Sequence, residues 1–365
     1  MTPRTLAVSG LLLFLALGCE ETRYLPDDIA PSTVGENALP DSASIAYDTS
    51  ARLDTQPGHD GGTLPSEDTG ADTSAARDTP YGYRSPPTSN TPVSLLPSRW
   101  VTHLQQDIMP FWMQPNALGS PVGNFPTHRT MSGALAADTE RRPRMIGRQV
   151  FVYCAAFLLS GDTAYLEPAH AGTRWLLDHA WDTTYGGWHA RLDAQGNPLG
   201  SDPKTAQDAA YAALGLAAWH LVTRDVAAEQ RLLATRDILM EGVLWDPQRG
   251  RVRDAVASDH SAPVDVENDG GAELVAQLDP INGFLLMSQR VLSDPQRRDQ
   301  FRADLDTLSD ILVDDFFSLG MFWGVDNQQG AYGARHVDSG HNLKSFWMLL
   351  QVDKRLPNHP YRALL

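Results

Sequence analysis

From about Val93 onward the sequence predicts an all-α fold, a toroid of paired helices, and three observations carry the prediction. Apolar residues recur at spacings of three and four along eight segments, about 95–113, 143–160, 163–181, 204–223, 225–243, 278–292, 295–317 and 341–355. The joins alternate in length: Ser-Gly-Asp, Thr-Arg-Asp and Ser-Asp-Pro close three of them, whereas 114–142, 182–203, 244–277 and 318–340 are long. No short solenoid repeat is present, so the repeating unit is the hairpin itself, with tight turns at one end and Gly- and aromatic-rich loops at the other.

In chain order, residues 1–19 come first. Arg4 and the apolar run 11–17, ending in Leu-Ala-Leu-Gly-Cys, resemble a bacterial lipoprotein signal peptide whose cleavage leaves Cys19 lipidated. The run is too short to span a bilayer. The expected location is therefore outside the cytoplasm, in the periplasm or on the cell surface, with the N-terminal lipid as the one membrane contact; plain secretion is the alternative. Residues 20–92 are rich in Asp, Thr, Ser, Pro and Gly, and 20–90 carry a net charge of −9 from 13 acidic and 4 basic residues. Such a segment cannot bury enough surface to offset its chain entropy and predicts a disordered acidic linker. Residues 93–365 are left as the folded domain.

Within that domain, Ile146, Val150, Tyr153, Ala156, Phe157 and Ser160 form one stripe along the second helix. Cap chemistry opens three others: Ser160-Gly-Asp-Thr before the third, Asp202-Pro-Lys at the fourth and Ser293-Asp-Pro at the seventh. Loop 182–203 reads as a small β-hairpin with Gln195-Gly196 in its turn. The net charge of −16 argues against nucleic acid, whose phosphates need Lys/Arg clusters, and favours a neutral or cationic partner. With only two cysteines, and Cys19 assigned to lipid, Cys154 has no partner, which removes a disulfide framework and a cysteine-ligated zinc site.

Phe111-Trp112, Arg148 in Gly-Arg-Gln-Val-Phe-Val-Tyr, Gly186-Gly-Trp followed by Asp193-Ala-Gln-Gly, Lys204 with Asp208 and Tyr211, and Gly340-His-Asn-Leu-Lys-Ser-Phe-Trp together resemble the N-acylglucosamine 2-epimerase and cellobiose 2-epimerase family over about residues 95–355. The resemblance implies an (α/α)6-barrel type toroid with a mono- or oligosaccharide pocket at the loop end, an Arg at the place of Arg148 that binds substrate, and His341 as a catalytic acid/base. It implies no cofactor. Three departures accompany it. Lys344 stands where the family has Glu; Phe284 and Leu286 stand in place of two imidazoles after Asn282; and the last two hairpins, which carry a further catalytic His, are not found. The expected barrel is thus incomplete, at about eight helices. Its open edge would expose apolar surface for a second copy, another partner or a further C-terminal piece to cover, and a homodimer is one such arrangement.

Epimerisation beside a carbonyl needs one group to take a proton, another to return it on the opposite face, and positive charge for the enediolate between them. Among 11 histidines, His341 is the first candidate and His336 the one nearby imidazole that would replace a lost partner. Arg148 lies in a buried stripe, where it either binds ligand or pairs with an acid such as Asp208. Only three lysines occur, and two of them, Lys204 and Lys344, open helices at motif positions. Trp188 and Trp323 are candidate stacking platforms for a sugar. His336, Asp338 and His341 have metal-like spacing but lack a fourth ligand, so no metal is expected. The alternatives are a glycan-binding lipoprotein that kept the pocket and lost catalysis, and a glycoside hydrolase drawing its carboxylates from Asp208, Asp265, Asp269 and Asp338.

Overall fold

The computed structural model describes residues 96–130, 132–264, 272–326 and 339–356. Cys19, the 1–19 and 20–92 segments, His336, Asp265, Asp269 and Asp338 lie outside the described residues. Eight helices occupy the eight expected segments. Helix α1 (97–112) runs as Pro97–His103, a π-helical turn Leu104–Ile108 and Met109–Trp112; α2 is Pro143–Ser160. Helix α3 (163–180) opens with a 3-10 turn and closes with the π turn Leu176–Ala180; α4 is Ala206–Thr223 and α5 is Val226–Met240. Helix α6 (274–288) joins Leu274–Pro280 to a π turn Ile281–Leu285 and Leu286–Ser288; α7 (295–316) closes with the π turn Leu312–Phe316; α8 is Ser339–Asp353.

All described residues belong to one compact unit. In it, α2, α4, α6 and α8 stand side by side as an inner layer, α2 against α4, α4 against α6 and α6 against α8. Helices α1, α3, α5 and α7 back them as an outer layer, with the apolar core between the layers. The alternation of short and long joins produces this arrangement, because each tight turn folds an outer helix back on its inner one.

Sequence explains why the inner helices approach so closely. Helix α4 (Ala-Gln-Asp-Ala-Ala-Tyr-Ala-Ala-Leu-Gly-Leu-Ala-Ala-Trp) is Ala-rich and buried around nearly its whole circumference. At its crossing with α2, a Cβ on Gly147 would stand 2.2 Å from the Tyr211 carbonyl oxygen, and one on Gly215 would stand 2.6 Å from the Gly147 carbonyl oxygen. On the other flank, a Cβ on Gly283 of α6 would stand 2.6 Å from the Ala210 carbonyl oxygen. Backbone therefore packs on backbone on both sides of α4.

The caps follow the expected chemistry at two of three places. Asp162 accepts from Ala164 N at 2.9 Å, and Asp294, followed by Pro295, accepts from Gln296 N at 2.8 Å. The fourth helix differs from expectation: Thr205 caps it by accepting from Asp208 N at 2.9 Å, so it starts at Ala206 and not at Asp202-Pro203. The reason is long-range. Lys204–Thr205 is drawn out as strand β1, pairing antiparallel with β4 (Ala255–Val256) in the register Lys204↔Val256.

Loop 182–203 does turn at Gln195-Gly196. Leu192 bridges Pro198, and Asp193 Oδ1 accepts from Gln195 N and Asn197 N while Gly196 holds a positive φ of 86°. The small hairpin is one of several short strand pairings, the largest of them the three-stranded β1-β4-β5. Strands β2 (Trp245–Asp246) and β3 (Arg251–Val252) pair, β4 also pairs β5 (Pro263–Val264), and β6 (Phe317–Ser318) pairs β7 (Met321–Phe322). All of them sit in the long joins. Cys154 is buried and unbonded, and burial pushes its thiol well above its ordinary pKa. None of the described helices is long and apolar enough to cross a membrane.

Candidate functional site

Each inner helix delivers polar side chains to one place. Helix α2 brings Arg144 and Arg148, one turn apart; α4 brings Asp208 and Tyr211; α6 brings Asp279; α8 brings His341 and Lys344. At the centre, Lys344 Nζ lies 2.6 Å from Asp279 Oδ1 and donates to the Tyr211 hydroxyl at 3.1 Å. The Tyr211 hydroxyl donates in turn to Asp279 Oδ1 at 3.3 Å. The Arg148 guanidinium stacks 3.9 Å from the Tyr211 ring centroid, and Arg144, 5.7 Å from the same ring, pairs with Asp208 at 3.1 Å.

Asp279 is 0% exposed and Lys344 7%. Burial opposes the charge on each, but their mutual attraction prevails: Lys344, with His341 and Arg148 beyond it, holds the Asp279 carboxyl below its ordinary range, and Asp279 with Tyr211 raises Lys344. Asp279 Oδ2 is buried with no hydrogen-bond partner among the described residues. Counting Arg144, Arg148 and Lys344 against Asp208 and Asp279, the cluster carries a net charge of +1 in a chain of −16. That sign suits an anionic intermediate.

Local structure explains the place of Asp279. Pro280 follows it inside α6, where it has no N–H to continue the ladder, and the helix widens into the π turn Ile281–Leu285. Asp279 thus sits at the last regular turn before an irregularity, where it meets Lys344 across from α8. The apolar departures at Phe284 and Leu286 read differently here: Phe284 is fully buried and meets Phe301 of α7 edge-on at 5.9 Å, so this position belongs to the core.

Of the residues singled out from sequence, Arg148, Asp208, His341 and Lys344 meet in this cluster. Arg144, and not Arg148, is the partner of Asp208, so the expected alternative of an Arg148–Asp208 ion pair is corrected. Trp323 sits beside it: Phe322 N donates to Asn342 Oδ1 next to His341, and the half-buried Trp323 indole N–H is tied to Ser318 Oγ at 2.7 Å. Lys204 and Trp188 lie together elsewhere. Lys204 is buried, bonding Asp182 Oδ2 at 2.6 Å and the Gly186 carbonyl at 2.7 Å, with His260 Nε2 at 3.5 Å. Trp188 is 3% exposed, with its indole N–H on Thr235 Oγ1 at 3.0 Å and its ring edge-on to Trp181. A ring so enclosed offers no free face to a sugar, which corrects its expected role as a platform. Sequence reasoning missed Asp279 and Arg144. The one signal for Asp279 was an acid directly before a Pro in an otherwise apolar run.

His128, Asp138 and Glu140 place three donor atoms within 4.8 Å of one another, the geometry of a cation site. Two guanidiniums already occupy the Glu140 carboxylate, however, Arg142 Nε at 2.6 Å and Arg191 Nη1 at 3.3 Å. The trio is an ion-pair network in which a metal would meet like charge.

The sequence profile described as N-acylglucosamine 2-epimerase (GlcNAc 2-epimerase) matches residues 125–363. A cellobiose 2-epimerase of Bacteroides fragilis is 30% identical over 121 residues, 33% of this chain and 30% of that protein's length. Among solved structures, the cellobiose 2-epimerase of Spirochaeta thermophila superposes with a TM-score of 0.61 at 23% identity, covering 74% of this chain and 67% of the other. A D-mannose isomerase superposes with a TM-score of 0.61 at 20% identity, covering 72% and 66%. The fold is of the (α/α)6-barrel type, as the family resemblance implies.

Proposed function

Because the chain belongs to the N-acylglucosamine 2-epimerase family, we propose that it acts on carbon 2 of a neutral or amino reducing sugar by proton abstraction through an enediolate. The observation that carries this reading is the convergence of Arg148, Tyr211, Asp279, His341 and Lys344 from four inner helices. His341, half-buried on the first turn of α8, exchanges a proton with carbon 2. Arg148 binds the sugar, and its charge together with that of Lys344 stabilises the oxygens of the enediolate. Trp323, next to Phe322 whose N–H bonds Asn342 beside His341, would stack on the sugar. Nothing in the proposed chemistry draws on a cofactor.

In the same reading, Cys19 is lipidated, residues 20–92 tether the domain of residues 93–365, and the protein works at a bacterial membrane outside the cytoplasm. Incubation of the purified protein with glucose, mannose, N-acetylglucosamine, N-acetylmannosamine and cellobiose in deuterated water tests the chemistry. Deuterium is expected at carbon 2 of at least one sugar pair. Binding without any incorporation would instead support the glycan-binding alternative, and release of reducing ends from an oligosaccharide would point to hydrolysis.

A further inference from the structure

We infer that Tyr211 is the second proton-transfer group of this site, acting on the face of carbon 2 opposite His341. The inference rests on the epimerase reading above and says where its missing second proton comes from. Two-sided chemistry needs two proton carriers. Of the described residues in the cluster, Lys344 and Asp279 are committed to one another at 2.6 Å and Arg144 and Asp208 at 3.1 Å, and of the other three, Arg148, His341 and Tyr211, an arginine does not give up its proton. The phenol is built into a relay: Lys344 Nζ donates to its oxygen at 3.1 Å, and its own proton rests on Asp279 Oδ1 at 3.3 Å.

The residue that departs from the family pattern makes this work. Lys344 stands where the resemblance expects Glu, and its ammonium meets the Tyr211 oxygen where a carboxylate would repel a developing phenolate. Arg148 lies 3.9 Å from the ring centroid, and Arg144 and Lys344 lie within 6 Å of it, so three cations surround the ring. The negative charge left on oxygen when the phenol gives up its proton is therefore met directly by Lys344 Nζ at 3.1 Å, with the two guanidiniums near the ring adding positive potential.

The step balances as follows. The His341 imidazole takes the carbon-2 proton, and the electron pair of that C–H bond delocalises onto the carbonyl oxygen as the enediolate. Tyr211 then gives its proton to the opposite face of carbon 2, the carbonyl re-forms, and the sugar leaves as its epimer. The phenolate regains a proton from the Lys344 ammonium at 3.1 Å, and once the product has left, water carries the proton of the imidazolium back to Lys344, restoring the starting forms. In the reverse direction the two residues trade roles.

A two-sided mechanism has a signature that a structural role for Tyr211 does not share. In deuterated water, Tyr211→Phe is expected to lose conversion between epimers by about 100-fold or more. It keeps carbon-2 exchange in one epimer, the one facing His341, and loses exchange in the other. His341→Ala is expected to show the opposite preference. Comparable loss of exchange in both epimers of Tyr211→Phe, or near wild-type conversion, overturns the assignment.

A second variant guards against misfolding. Site-specific replacement of Tyr211 by a fluorinated tyrosine, a stronger acid of similar size, is expected to move the alkaline limb of the conversion rate to lower pH; an unmoved limb also overturns the assignment. The charged groups facing this phenol are Arg144 and Arg148 from α2, Asp279 from α6, His341 and Lys344 from α8, and Asp208 on its own helix, and all are unchanged in that variant. Failure of the wild-type protein to exchange carbon 2 in either epimer would sink the epimerase reading itself, a result distinguishable from the others.

Discussion

Lys344 Nζ sits 2.6 Å from Asp279 Oδ1, and the two charges neutralise each other where water is almost wholly excluded. Removing one partner strands the other. Asp279→Asn or Lys344→Met alone is expected to cost about 3–5 kcal/mol in urea unfolding, whereas the double variant should cost much less than the sum of the two. Because the Asp279 carboxyl is held below its ordinary range, the stability it adds is present at neutral pH and is lost as the solution is acidified through its folded-state value. Additive losses in the double variant would show that the pair is not a coupled unit.

Arg148 presents a planar group. Its guanidinium carbon lies 3.9 Å over the Tyr211 ring centroid, and an ammonium on a flexible stem does not reproduce that planar fork. Arg148→Lys is expected to raise the KM for the sugar about tenfold, equivalent to about 1.4 kcal/mol, with little change in Tm. An unchanged KM would remove Arg148 from substrate binding.

Trp188 should behave as a core residue. Trp188→Phe leaves Thr235 Oγ1 without its indole donor and is expected to destabilise the protein by about 1–3 kcal/mol while leaving the KM for sugar unchanged. A raised KM at constant stability would restore the stacking role.

Glu140 gives the acid side of the stability curve a local cause. Burial opposes its ionisation, but hydrogen bonds from His128 and Arg142, reinforced by Arg191, prevail and hold its carboxyl at about 2. Its unfolded value is about 4.3, so its contribution is complete above that pH and disappears as pH falls toward 2. Glu140→Gln is expected to lower Tm at pH 7, to match wild type near pH 2, and to flatten the dependence between them.

The helices were legible because their spacing is a local property, and all eight segments carry it. What pairing over distance decides was not. Thr205 became the cap of α4 because Ala255 and Val256, some fifty residues away, draw Lys204 and Thr205 into a strand. Two-residue strands such as Phe317–Ser318 and Met321–Phe322 are too short to show an alternation. In the site, the motif residues Arg148, Asp208, His341 and Lys344 were visible as types in order, but the partner of Lys344 was not. Asp279 lies 65 positions earlier, on a helix whose irregular turn sets its position. Trp188 failed as an expectation because an aromatic residue in a long loop reads as exposed, and only the neighbouring Thr235 on α5 shows that it is enclosed.

Gly147, Gly215 and Gly283 leave α4 gripped by bare backbone on both flanks, with no side chain between to act as a cushion. A helix held that way cannot slide or roll without breaking contact along its length, so its amides from Ala209 to Trp219 should be the last in the domain to exchange with solvent. Natural variation then has one inexpensive outlet. New sugar preferences would accumulate in the four long joins, while the strip of backbone that carries Asp208 and Tyr211 stays where it is.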